Sequence, residues 1–291
     1  MLKLKSSEIR KWLSIKSRSS SARYHHQVLV EEQSQRSKTI SILKQIVREA
    51  HEDAKLYLHQ CTEANLDPLG ASSVPSIVDA YPHKLHLSTK KAYFGEIMAG
   101  LIAENFASVK PGNWRVLAFL FRLHDLAFNQ LEMWRETGVP PRHVWGQFGD
   151  DCVAFSRDRT GRVNAALVCE GKCTNDHDSS MIAEAHLKLS TQVMRPISLR
   201  RIIEILKDHS GEPEVTDWVN ALYQLYYQRE LRPDYRRVDL VSYTCGRRPA
   251  RASSWMTPDK PHPEYKGKRD LESVEIHSVN VDALVEEVYK E

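Results

Sequence analysis

The tripeptide Glu170-Gly171-Lys172 closes the apolar run Val163-Asn164-Ala165-Ala166-Leu167-Val168-Cys169. Side chains of a strand alternate between its faces, so a strand here puts Glu170 and Lys172 on the same one. A carboxylate that can hold a hard cation then lies beside an ammonium that can polarise a water or a phosphate oxygen. Metal-dependent phosphodiester cleavage uses that pairing. An acid two residues before a lysine occurs three times in the chain, at Asp53-Ala54-Lys55, Glu170-Gly171-Lys172 and Glu264-Tyr265-Lys266. The first lies in a polar helical stretch and the last in a Pro-rich loop, where solvated surface charge is the simpler reading. Only the middle one ends an apolar, strand-like run.

A partner strand precedes it, Gly149-Asp150-Asp151-Cys152-Val153-Ala154-Phe155, and the polar segment 156–162 between them contains Gly161. That pattern predicts a hairpin. A turn centred on Thr160 and Gly161 sets Asp151 opposite Glu170, where two carboxylates can share a cation. A slip of one residue brings Asp150 there instead, and the two registers remain alternatives. Glu96 is a third acid to consider. It lies in a helix-period stretch with a bulky stripe at Phe94, Ile97, Met98, Leu101 and Ile102, on the side that carries Ala92, Ala99, Gly100 and Ala103. Small neighbours let such a helix approach a sheet with the glutamate aimed at it; the alternative is an ordinary exposed glutamate.

Taken together, Phe94-Gly95-Glu96-Ile97, Leu123-His124-Asp125-Leu126, Gly149-Asp150-Asp151-Cys152-Val153-Ala154-Phe155 and Leu167-Val168-Cys169-Glu170-Gly171-Lys172 resemble the PD-(D/E)xK nucleases. The closer resemblance is to the HamA family, the nuclease subunits of Hachiman anti-phage defence. It covers residues 90–195 with usable motifs. It implies a restriction-endonuclease-like core in which Asp151, Glu170 and Lys172 are the metal and catalytic triad, with Glu96 as the helix acid. It also implies Mg²⁺ (or Mn²⁺) as cofactor, DNA as substrate, and a HamB-like helicase partner that restrains the activity and releases it on infection. Asp150, a second acid before the motif aspartate, departs from the pattern. Two other functions are kept beside this one: a non-catalytic DNA-binding or adaptor subunit on the same fold, and a nuclease of DNA repair.

The remaining elements must hold these residues in place. Helices are expected over 38–60, around Glu96, over 114–134, from Asp178 or Ser179 onward (inner positions Ile182, Ala185, Leu189 and Val193), over 197–208 and over 214–229. Trp218, Leu222, Leu225 and Tyr226 in the last of these read as core. Late strands are expected over 237–245 and 273–279, with a closing helix over 281–289. A mixed sheet flanked by many helices is an α/β class with helical elaborations. Residues 1–35 are rich in Lys, Arg and Ser and read as a flexible basic arm, either solubilising, phosphate-binding or resembling a transit peptide. Residues 36–291 read as the nuclease domain.

Residues 246–270 interleave Arg247, Arg248, Arg251, Lys260, Lys266, Lys268 and Arg269 with Trp255 and Tyr265. Cations among aromatics suit a nucleic-acid groove, and a solvated insertion is the equal alternative. Arg247, Arg248, Arg251, Lys266, Lys268 and Arg269 are the candidate DNA contacts. The net charge of +3 is too small to argue for nucleic acid by itself. Five scattered cysteines, an odd number, suit a reducing cytosol. Cys169, Cys173 and His177 match no standard zinc spacing. His124-Asp125 sits in an apolar stretch, where a histidine satisfied by its neighbour is the commoner case. The chain has no run of about 18 apolar residues and no G-x-x-x-x-G-K-[ST] phosphate loop. A cytoplasmic protein with no nucleotide cofactor and no membrane contact is therefore expected.

Overall fold

The structure, a computed structural model, describes residues 2–63, 77–121, 138, 150–209 and 211–290. Its centre is a seven-stranded mixed sheet of order β1-β2-β7-β6-β5-β4-β3. The strands are β1 (Leu13–Ser21), β2 (Tyr24–Glu31), β3 (Arg115–Val116), β4 (Cys152–Arg157), β5 (Val163–Thr174), β6 (Arg236–Cys245) and β7 (Asp270–His277). The block β2-β7-β6-β5 is parallel, and antiparallel pairs β1-β2, β5-β4 and β4-β3 flank it. The class is α/β, as expected. The described helices are α1 (Ser7–Trp12), α2 (Gln33–Glu63), α3 (Ile77–Ala80), α4 (Leu87–Asn105), α5 (Ser179–Thr191), α6 (Leu199–Asp208), α7 (Pro213–Tyr227) and α8 (Val281–Val288). None of them is long and apolar enough to cross a membrane.

Alternation along β5 creates two cores. Ala165, Leu167, Cys169 and Cys173 face α4, α2 and α8, whereas Ala166 and Val168 face α5, α6 and α7. Glu170 and Lys172 continue the second row. Helix α4 is buried along almost its whole length, on the Glu96 side as well as the bulky one, which is why no single apolar stripe dominates it. At Gly171 it packs directly on the sheet. A Cβ there would collide with the Gly95 carbonyl, and a Cβ on Gly95 would meet that of Cys173 at 3.2 Å. This contact uses Gly95, which is not among the small residues on the Glu96 side.

Local chemistry explains several boundaries. In the β4–β5 turn Gly161 has φ 82°, and Asp158 Oδ1 accepts from the backbone N–H groups of Thr160 (2.8 Å) and Arg162 (3.2 Å). Asp178 caps α5 by accepting from the Ser180 N–H at 2.8 Å. Trp218, Leu222 and Leu225 are core residues of α7.

Three expectations need correction. Residues 2–31 are no flexible arm: Leu4, Ile9, Trp12, Leu13, Tyr24, Val28 and Leu29 are buried, and the β1–β2 hairpin completes the sheet. The Trp12 indole N–H donates to Glu31 Oε1 at 2.9 Å. The serines and cations read as an arm belong to an edge strand, where charge discourages further pairing. Residues 114–120 are not helical either. Arg115 and Val116 pair with Phe155 and Ala154, residues 117–120 belong to no regular element, and the buried side chains of the stretch divide between the two cores. The rest of that expected helix, with His124 and Asp125, lies outside the described residues, as does Gly149. Finally, α5 ends at Thr191, and Val193 is 63% exposed.

Candidate active site

Strand register builds the site. Cys152 pairs with Cys169 and Val153 with Val168, so one further step brings Asp151 level with Glu170, the register expected from the turn. Asp151 Oδ2 accepts from the Gly171 backbone N–H at 3.0 Å. Asp150, the alternative acid, points elsewhere. Its Oδ2 accepts from the Ser198 N–H at 2.9 Å just before α6, and its own N–H donates to Ser198 Oγ at 3.3 Å. Two consecutive acids thus serve different elements.

Glu170 is fully buried, and Lys172 projects from the same face beside it, with Nζ 3.1 Å from Glu170 Oε1 and 3.3 Å from Glu184 Oε1 of α5. One turn after Glu184, Lys188 reaches the same place. Its Nζ lies 2.6 Å from Asp151 Oδ1 and 2.7 Å from Glu170 Oε2. Sequence reasoning missed this lysine. The available signal was Glu184-x-x-x-Lys188, an i,i+4 pair on the helix that follows the strand. Neither Glu170 oxygen receives a hydrogen bond of good geometry among the described residues. The two ammonium groups neutralise it by proximity, Lys188 Nζ lying 2.7 Å from Oε2 and Lys172 Nζ 3.1 Å from Oε1.

Burial first, and then the Asp151 carboxylate, push Glu170 up to about 8, although Lys188 and Lys172 pull it down. Glu96 is buried in α4 and held well above the usual carboxylate range, by burial first and then by Asp151; Lys188 offsets part of this and Glu170 adds to it. Burial alone would depress both lysines. Glu170 and Asp151 outweigh it and hold Lys172 and Lys188 above the ordinary lysine value. Breaking a buried pair of this kind leaves one charge uncompensated, at a cost of about 3–5 kcal/mol.

Among the described residues, no three His, Cys, Asp or Glu side chains form a ready-made metal cage. What the site offers a hard cation is narrower. Two carboxylate oxygens, one from Asp151 just before β4 and one from Glu170 in β5, converge on one point, now marked by the Lys188 nitrogen. That donor set suits Mg²⁺, which takes one or two carboxylates and retains several waters.

The basic loop leaves β6 beside the same end of β5: Gly246 N–H donates to Thr174 O at 3.0 Å, and Arg247 pairs with Asp176 at 2.7 Å. Arg248, Arg251, Lys266 and Lys268 are exposed. Arg269 is not available in the same way, since its Nε donates to Asp239 Oδ2 (3.0 Å) and its NH2 group to Leu189 O (2.7 Å). Trp255 stacks on His177 with ring centroids 3.8 Å apart, and His177 Nδ1 lies 3.2 Å from the hydroxyl of Tyr243, the β6 residue paired with Lys172. The loop is anchored as well, because Glu275 accepts from the Trp255 and Met256 N–H groups at 2.7 and 2.6 Å. No protein-family model matches the chain, and no curated protein matches it.

Proposed function

We propose that the chain is a Mg²⁺-dependent deoxyribonuclease, with Asp151 and Glu170 as the cation ligands and Mn²⁺ as a substitute. The observation that supports this most is the convergence of Asp151 Oδ1 and Glu170 Oε2 on a single cationic point. When bound, the metal would neutralise phosphate charge and acidify a water. Lys172, held by Glu170 and Glu184, is charged and partly exposed, so its ammonium can orient that water or stabilise charge on the phosphorane. Glu96, buried in α4, would take part through its proton, which burial and the neighbouring acids hold on it. The exposed cations Arg247, Arg248, Arg251, Lys266 and Lys268 supply phosphate contacts.

The resemblance to HamA nucleases supports a restriction-endonuclease-like core, DNA as substrate, a role in cytoplasmic anti-phage defence and control by a helicase subunit. One observation favours a second reading. Lys188 already neutralises both acids, as it would in a non-catalytic DNA-binding subunit that keeps the network only for stability. Plasmid cleavage in Mg²⁺ and Mn²⁺, with and without chelator, separates the two. A nuclease loses at least ~100-fold activity in Glu170→Gln, the scale of one essential catalytic group. A structural network predicts no cation-dependent cleavage by either protein.

A further inference from the structure

Lys188 has no part in the chemistry just described, yet it occupies the centre of the site. Its Nζ is 2.6 Å from Asp151 Oδ1 and 2.7 Å from Glu170 Oε2, so the ammonium bridges the two acids from neighbouring strands. A second cation cannot occupy the same point, because two like charges at contact distance repel strongly in a partly buried site. Nor is the lysine locked in. Its side chain is 26% exposed, and Glu184, one turn earlier on α5, is 65% exposed at the rim. A flexible four-carbon stem lets the ammonium withdraw toward solvent without moving the helix.

The geometry points to Lys188 as a built-in competitor for the divalent cation. It keeps Asp151 and Glu170 converged while the metal is absent, and it must withdraw for the metal to bind. Lys188 thereby sets the cation concentration at which the site loads. This rests on the reading of Asp151 and Glu170 as a cation site, and it concerns α5, not the Glu170-Gly171-Lys172 segment. Lys172 is the natural control. It touches Glu170 but not Asp151 and lies to one side of the convergence point. General charge removal affects both variants alike, whereas occupancy of the point affects Lys188 alone.

The test is Mn²⁺ binding without DNA, followed by the electron paramagnetic resonance signal of free Mn²⁺, for wild type, Lys188→Met, Lys172→Met and Asp151→Asn. Lys188→Met is expected to bind at least tenfold more tightly than wild type, about 1.4 kcal/mol, and clearly more tightly than Lys172→Met. Its metal-free Tm should fall, and Mn²⁺ should raise it by more than it raises the wild-type value. Should Lys188→Met not fold, Lys188→Gln, which keeps a neutral donor, carries the same expectation. Binding by wild type that Asp151→Asn abolishes, with no gain in the Lys188 variant over Lys172→Met, overturns the inference and leaves the cation site intact. No Mn²⁺ binding by any of the proteins overturns both.

Discussion

The backbone N–H of Gly171 donates to Asp151 Oδ2 at 3.0 Å, so Asp151 is fixed by the strand that carries Glu170. Its neighbour Asp150 instead accepts from Ser198 N–H at the entry to α6. Substitution should therefore separate the two. Asp150→Ala is expected to cost about 1 kcal/mol of stability, the scale of a lost cap, and to leave cleavage within a few-fold of wild type. Asp151→Ala is expected to remove cleavage. Urea unfolding combined with a plasmid assay on both variants checks this, and equal loss of activity would contradict the division of roles.

Glu275 sets an acid limit on stability. It is buried; burial would raise its pKa, but hydrogen bonds from His26, His277 and the Trp255 and Met256 N–H groups outweigh that and hold it at about 2. Between the ordinary glutamate value of 4.5 and about 2 the unfolded chain binds a proton that the native chain does not, so stability falls as pH falls. This contribution is fully present above the unfolded value and lost through the folded one. Urea midpoints measured from pH 6 to pH 2 should drop more steeply for wild type than for Glu275→Gln. Parallel curves would show that Glu275 carries no such linkage.

The basic loop predicts two different phenotypes. Charge reversal at Arg248 and Arg251, which are exposed, should weaken DNA binding and reduce its salt dependence without changing stability. Arg269→Ala should destabilise the protein, because it strips Asp239 of a charged donor, the Asp239 carboxylate being fully buried. Fluorescence anisotropy with a short duplex at two salt concentrations, together with thermal unfolding, distinguishes them.

Deleting residues 1–31 is a further check. Trp12, Leu13, Val28 and Leu29 lie in the core and β2 pairs with β7, so the truncated chain should lose its cooperative unfolding transition. A truncated protein with an unchanged transition would restore the picture of a dispensable arm.

These residues also show what local pattern can and cannot reveal. The β4–β5 hairpin was legible because period-two alternation and the Gly161 turn act over a few residues. With them came the level of Asp151 and Glu170 as one of two registers, while capping chemistry set the start of α5 at Asp178 or Ser179. The β1–β2 hairpin was not, since Ile15, Lys16 and Arg18 on an exposed edge strand look like a solvated tail. Residues 114–120 were misread because a segment buried on both sides has no visible period. Lys188 was hidden for another reason. It stands next to the inner position Leu189 on α5, and only the placement of that helix over β5 turns a surface-type lysine into the bridge between two acids.

The part played by Glu170 and Lys172 is decided by cleavage of plasmid and linear DNA in Mn²⁺, with wild type and Lys172→Ala compared side by side. A metal-dependent nuclease centred on Glu170 and Lys172 predicts cleavage by wild type and at least ~100-fold less by the variant, the scale of an essential acid–base or electrostatic group. Equal cleavage by the two would contradict it.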